Sequence, residues 1–302
     1  SLVGSEMCIR DSSGVALVTP FHEDKSVNFE MLEYLVERQI TNETDAIVVC
    51  GTTGEPATMS EKERLAVIKT VVAKTSHRIP VIAGVGCNAT ERTISFVKKV
   101  NDLGVDGMLI VTPYYNKATQ NGLHEHYRQI AAHTPKPIII YNVPSRTGCN
   151  MLPETVARIA DSCPNVTGIK EASGNISQVA KLASLVGDRL DIYSGNDDQI
   201  VPVMSLGGSG VISVLANLLP KNIHDITKEM LSGDYISAKD AQLSYEKLIE
   251  KLFTEVNPIP VKAALNMMGM DVGPVRLPLT ELEETHKNEL KRAMSEVGIR
   301  SL

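Results

Sequence analysis

No basic excess runs through this sequence. Lysine and arginine together number 30 against 36 aspartates and glutamates, a net charge of −6. A protein that holds nucleic acid non-specifically carries the opposite balance. No run of about 18 apolar residues is present, so no transmembrane helix is expected. Cysteine is sparse and scattered, at Cys8, Cys50, Cys87, Cys149 and Cys163, with no CxxC pair. That pattern excludes a disulfide framework and zinc-ligand spacing, and fits reduced thiols in a cytoplasmic protein. The histidines form no HExxH, and His124 and His126 stand two apart, pointing in different directions on a helix. No metal site is expected. What the chain does have is a globular composition, 43% hydrophobic and 22% charged, which excludes wholesale disorder.

From Gly14 onward a rhythm runs through the chain. Short apolar, β-rich runs alternate with longer helical patterns. The runs are Val15–Val18, Ala46–Val49, Val81–Val85, Met108–Val111, Ile138–Tyr141, Val166–Ile169, Asp191–Tyr193 and Val211–Val214. They are continuously apolar, as strands buried on both faces are. Between them, Phe29–Ile40 carries Leu32, Leu35, Val36 and Ile40 on one stripe. Ser60 precedes Glu63 by three residues, the spacing of a capping box. Eight β–α repeats predict parallel strands joined by right-handed crossovers, and eight is the number that closes a (β/α)8 TIM barrel. A doubly wound open sheet would normally place GxGxxG after its first strand; here Thr19-Pro20-Phe21 stands there. The organisation expected is a leader over 1–13, disordered or artefactual, a barrel over 14–215, and a helical extension over 216–302 packed on it.

In such a barrel the chemistry projects from the C-terminal ends of the strands. Those ends read Gly51-Thr52-Thr53-Gly54-Glu55, Thr112-Pro113-Tyr114-Tyr115, Tyr141 to Gly148, Lys170-Glu171, Ser194-Gly195-Asn196 and Gly210 to Ser213. Lys170 is the most informative. A strand-end lysine is ordinarily solvated or paired, here with Glu171. A desolvated lysine amine is instead favoured in its neutral form, which attacks a ketone to form a Schiff base. The imine then serves as an electron sink, so no bound cofactor is needed. Tyr141, on the neighbouring strand, is a candidate proton relay, with Thr52, Thr53 and Tyr115 as hydroxyls to complete it. The glycines beside the threonines let backbone N–H groups approach a carboxylate. Arg146 offers a planar fork for a second carboxylate. Gly207-Gly208-Ser209-Gly210 precedes the eighth strand and reads as a plain turn at the opposite end.

GTTGE at 51–55, TPYYNK at 112–117, YNVPSRTG at 141–148 and GIKEASGN at 168–175 together resemble the dihydrodipicolinate synthase/N-acetylneuraminate lyase family of Schiff-base-forming barrels. The resemblance covers the chain from about Val15 onward. Its arginine-bearing loop is similar to the branch that condenses pyruvate with aspartate-4-semialdehyde on the way to diaminopimelate and lysine. Aldolases acting on sialic acid or 2-keto-3-deoxy sugar acids generally lack that arginine. A non-catalytic binding barrel would need no imine-forming lysine. The resemblance implies that Lys170 forms the imine, Tyr141 moves the proton, and Thr52 links it to a Tyr115 reaching across from a partner subunit. It further implies that Thr53 binds pyruvate's carboxylate, Arg146 the semialdehyde's, and that Gly195 and Ile212 line the pocket through backbone groups. It implies no cofactor, and homotetramers built from tight dimers.

In lysine-inhibited relatives, free lysine binds at the tight-dimer interface. The matching positions here are Pro56, Ala57, Glu61, Arg64, Asn88, Arg92 and Tyr114. Inhibited relatives carry a glutamate at the Arg92 position and histidines at the Glu61 and Arg64 positions. A guanidinium in place of that carboxylate repels the ligand's ammonium, so weak or absent lysine sensitivity is expected.

Overall fold

The computed structural model describes residues 12–301. Eight parallel strands close into a barrel in chain order, β8 pairing back onto β1. They are β1 (Ser12–Ala16), β2 (Ala46–Val49), β3 (Val81–Gly84), β4 (Gly107–Val111), β5 (Ile138–Asn142), β6 (Val166–Glu171), β7 (Asp191–Ser194) and β8 (Gly210–Ser213). The helices are α1 (Phe29–Thr41), α2 (Glu61–Thr75), α3 (Thr90–Val100), α4 (Gln120–Ala131), α5 (Pro144–Thr147), α6 (Pro153–Ser162), α7 (Ile176–Val186), α8 (Ile200–Ser205), α9 (Pro220–Ser232), α10 (Tyr235–Ser244), α11 (Glu246–Leu252), α12 (Ile259–Met267) and α13 (Glu284–Glu296). The expected TIM barrel is therefore present. Among the described residues, no helix is long and apolar enough to cross a membrane.

Strand alternation splits the core into two layers. Ala16, Val48, Ile82, Leu109, Ile139, Tyr141, Tyr193 and Ile212 pack inside the barrel. Val15, Ile47, Val49, Ile138 and Ile140 face the helices. The capping box forms as its spacing predicts: Ser60 Oγ accepts from Glu63 N, and Glu63 Oε2 accepts from Ser60 N at 2.8 Å.

Three features differ from the sequence reading. The first strand begins at Ser12, ahead of Gly14. Its two serines are polar yet buried, because Ser13 N and Oγ both donate to Asp45 Oδ2 at 2.9 Å and Ser12 pairs with Gly210. Residues 1–11 of the expected leader lie outside the described residues. Second, α9 packs on β1 and β8 as the eighth outer helix, so the barrel's outer ring reaches past residue 215. Third, the extension is not helical throughout. Helices α10 and α11 meet at Tyr245, and residues 268–283 form a non-helical strap across the first loop. Phe21 N donates to Val272 O at 2.9 Å there. Gly273 has φ +68°, and a Cβ on it would stand 1.8 Å from Phe21 O. Only glycine lets the strap lie so close.

Candidate active site

Lys170 faces the barrel interior because of one irregularity. Val166 and Ile169 both belong to the outer layer although they are three residues apart. Strict alternation forbids that, and a bulge permits it: the β5–β6 register passes from Ile138↔Val166 to Ile139↔Gly168, leaving Thr167 unpaired. From there Gly168 and Lys170 point inward. Lys170 becomes the register partner of Tyr141 on one side and Tyr193 on the other. Its Nζ sits 4.3 Å from the centroid of the Tyr141 ring, and both residues are only 6% exposed.

Glu171, the alternative partner, turns the other way. It accepts from Asn142 Nδ2 at 3.1 Å and Ser173 N at 2.7 Å. Among the described residues Lys170 has no carboxylate within salt-bridge distance. The acid it does influence is Asp197, buried beyond β7, whose Oδ2 accepts from Val214 N and Leu215 N. Burial pushes the Asp197 carboxyl above its ordinary range, against the hydrogen bonds it accepts from Ser213, Leu215 and Val214 and, least, the neighbouring Lys170.

A cavity of about 630 Å³ opens over Lys170. Thr52, Thr53, Tyr141, Arg146 and Gly195 also line it. Six of the eight substrate-handling residues expected from sequence thus share one space. Gly195 is required by contact, since a Cβ there would meet Ala172 Cβ at 2.5 Å. Ile212 sits in the inner layer with Tyr141 and Tyr193 and is not among the cavity's lining residues. Tyr115 is not brought to the site by its own chain. Its residue is 89% exposed at φ +75°, with its N–H donated to Thr147 O at 3.2 Å.

A second cavity, about 390 Å³, shares Thr52, Tyr141, Val143, Arg146, Val256 and Asn257 with the first. Of the expected regulatory positions it collects Pro56, Ala57, Arg64 and Tyr114. Arg64 is already engaged, donating to Gly84 O at 3.0 Å with its guanidinium 3.9 Å from the Phe96 ring centroid. Glu61 pairs with Lys99, Asn88 Nδ2 donates to Tyr114 O, and Arg92 is exposed; none of the three lines this cavity.

Several residues that position the site escaped the sequence reading, and they come from the C-terminal extension. Asn257 Nδ2 donates to Thr53 Oγ1 at 2.9 Å, while its carbonyl accepts from Arg146 Nη2 at 3.2 Å. Glu55, which ends the GTTGE loop, pairs with Lys262 and accepts from Arg276 N at 3.1 Å. Lys262 Nζ also donates to Thr19 O and Pro274 O. Burial lowers its pKa to about 8, against the pull of Glu55. The only signal available in sequence was the placement of polar residues in an apolar stretch, Asn257-Pro258-Ile259-Pro260-Val261-Lys262.

A buried lysine inside a closed parallel barrel, a phenol on the adjacent strand and an arginine at the mouth define a class of Schiff-base barrel. The chain belongs to the dihydrodipicolinate synthetase family, whose model matches residues 11–297. It is 56% identical to the 4-hydroxy-tetrahydrodipicolinate synthase of Caldicellulosiruptor saccharolyticus, over 97% of this chain and 99% of that one. Among solved structures it is similar to dihydrodipicolinate synthase from Thermotoga maritima, at 43% identity and TM-score 0.94, covering 96% of this chain and 99% of that one. The chloride-inhibited dihydrodipicolinate synthase from Acinetobacter baumannii, complexed with pyruvate, matches at 42% identity and TM-score 0.94, with coverage of 96% and 99%.

Proposed function

We propose that this chain is a 4-hydroxy-tetrahydrodipicolinate synthase, a cytoplasmic lyase condensing pyruvate with L-aspartate-4-semialdehyde in diaminopimelate and lysine biosynthesis. The observation that carries the reading is the placement of Lys170: buried inside the barrel, without a carboxylate partner among the described residues, and facing a cavity that also holds Arg146. The Lys170 amine adds to the pyruvate ketone, and the ketone oxygen leaves as water. The imine loses a methyl proton to give an enamine, whose carbon attacks the aldehyde. The semialdehyde's own amine then adds to the imine carbon and displaces Lys170, closing the ring. Tyr141, through Thr52, carries the protons these steps release and consume. Thr53 receives the pyruvate carboxylate and Arg146 that of the semialdehyde. The exposed Tyr115 supports a relay completed across a homodimer, two of which make the tetramer.

Borohydride reduction in the presence of pyruvate tests the reading. The expected result is a single pyruvate-derived adduct on Lys170 and no condensation by Lys170→Ala. An adduct on another lysine, or activity retained by Lys170→Ala, would overturn it.

A further inference from the structure

We propose that Asn257 is a positioning residue that sets the hydrogen-bond polarity of Thr53, so that the threonine hydroxyl meets the substrate as a donor. The inference rests on the function proposed above and concerns how the keto acid's carboxylate is received.

A threonine hydroxyl has one proton. Thr53 is 3% exposed and lines the cavity over Lys170. Its oxygen accepts from Asn257 Nδ2 at 2.9 Å, and among the described residues nothing accepts its proton. The proton is left for a ligand, and a carboxylate needs donors. Had the amide oxygen faced Thr53, the hydroxyl would spend its proton on the amide and present only lone pairs. Among the described residues the Asn257 amide makes no other bond: its Oδ1 is buried without a partner. All of its hydrogen bonding is therefore directed at Thr53. Asn257 itself is 5% exposed. Its backbone carbonyl meanwhile holds Arg146 Nη2, a contact that side-chain replacement leaves in place. One residue thus orients both groups assigned to anionic substrates, the first through its side chain and the second through its main chain.

Asn257→Asp replaces the donor by an acceptor of the same shape, and Thr53→Val removes the hydroxyl. The two substitutions and their combination form a double-mutant cycle, in which any direct repulsion between the new carboxylate and pyruvate cancels. Asn257→Asp is expected to raise the pyruvate KM at least about tenfold more in the Thr53 background than in the Thr53→Val background. The semialdehyde KM should move far less, because the carbonyl contact to Arg146 persists. Reductive trapping at saturating pyruvate, applied to every variant, checks that the barrel and Lys170 are intact. A coupling ratio near one would overturn the inference, and so would an equal rise in both KM values or loss of trapping in Asn257→Asp alone. Failure of the unsubstituted protein to trap pyruvate would instead overturn the function on which the inference rests.

Discussion

Lys262 Nζ meets Glu55 Oε1 at 2.9 Å although the two residues are 207 positions apart in sequence, and their side chains are 2% and 1% exposed. The pair ties the loop bearing Thr52 and Thr53 to the C-terminal segment. Removing one partner of a buried pair strands the other charge, at a cost of about 3–5 kcal/mol. Lys262→Met should show that loss in urea unfolding. Combining it with Glu55→Gln should recover part of the loss, because no bare carboxylate remains. A double variant as unstable as the sum of the two single ones would refute the coupling.

Arg146→Ala should separate the two half-reactions. Imine formation with pyruvate should persist, since Lys170 and Thr53 are untouched. Condensation should fall by an order of magnitude or more in kcat/KM, corresponding to about 1.5–3 kcal/mol for a lost charge-assisted bond. Unchanged condensation kinetics would point to a second substrate without a carboxylate.

Tyr115 can be tested by complementation. Tyr115→Phe and Tyr141→Phe should each be poorly active alone. Mixed after dissociation and reassembly, they should regain activity, because a hybrid dimer contains one site with both phenols. No recovery in verified hybrids would mean that Tyr115 does not serve a neighbour.

L-lysine should inhibit weakly or not at all. Arg64 is already committed to Gly84 O and Phe96, and Arg92 adds a second cation beside the expected pocket where a ligand ammonium would need an anion. Titration with L-lysine at saturating pyruvate decides it. Half-inhibition below the millimolar range would show the pocket to be competent despite both guanidiniums.

His126 gives the fold an acid-sensitive point. It is buried on α4 with Nδ1 2.9 Å from Thr90 Oγ1, and burial pushes its pKa down from 6.5 to about 4. Between those values the unfolded chain binds a proton that the folded chain refuses, so stability falls as pH drops from 6.5 toward 4. At about 1.4 kcal/mol per pKa unit the contribution is about 3 kcal/mol. Urea midpoints across that range should fall less steeply in His126→Gln. Equal slopes would assign the acid sensitivity elsewhere.

The barrel was legible because its strands are buried on both faces and end in recognisable polar groups. Lys170 directly follows an apolar run, Tyr141 ends one, and Thr53 and Arg146 stand four and five residues past one, so one rule about strand ends and the loops that follow them found them all. The direction in which Lys170 points was not legible. It depends on the bulge at Thr167, which no periodicity marks. The start of β1 was hidden because buried serines satisfied by Asp45 resemble a loop in composition. Asn257, Lys262 and Arg276 were missed for a further reason: they reach the site through the non-helical strap and its flanks, and their partners lie two hundred residues away. A local pattern carries no record of such a path.

The late position of Asn257 and Lys262 also bears on how the enzyme comes into being on the ribosome. A nascent chain that has emerged as far as residue 215 already holds all eight strands and Lys170. It still lacks the amide that orients Thr53 and the cation that neutralises Glu55. Lys170 and Thr53 are thus made well before the groups that hold Thr53 and Glu55 in place, so under the proposed function a barrel still being translated has little hold on the keto acids around it.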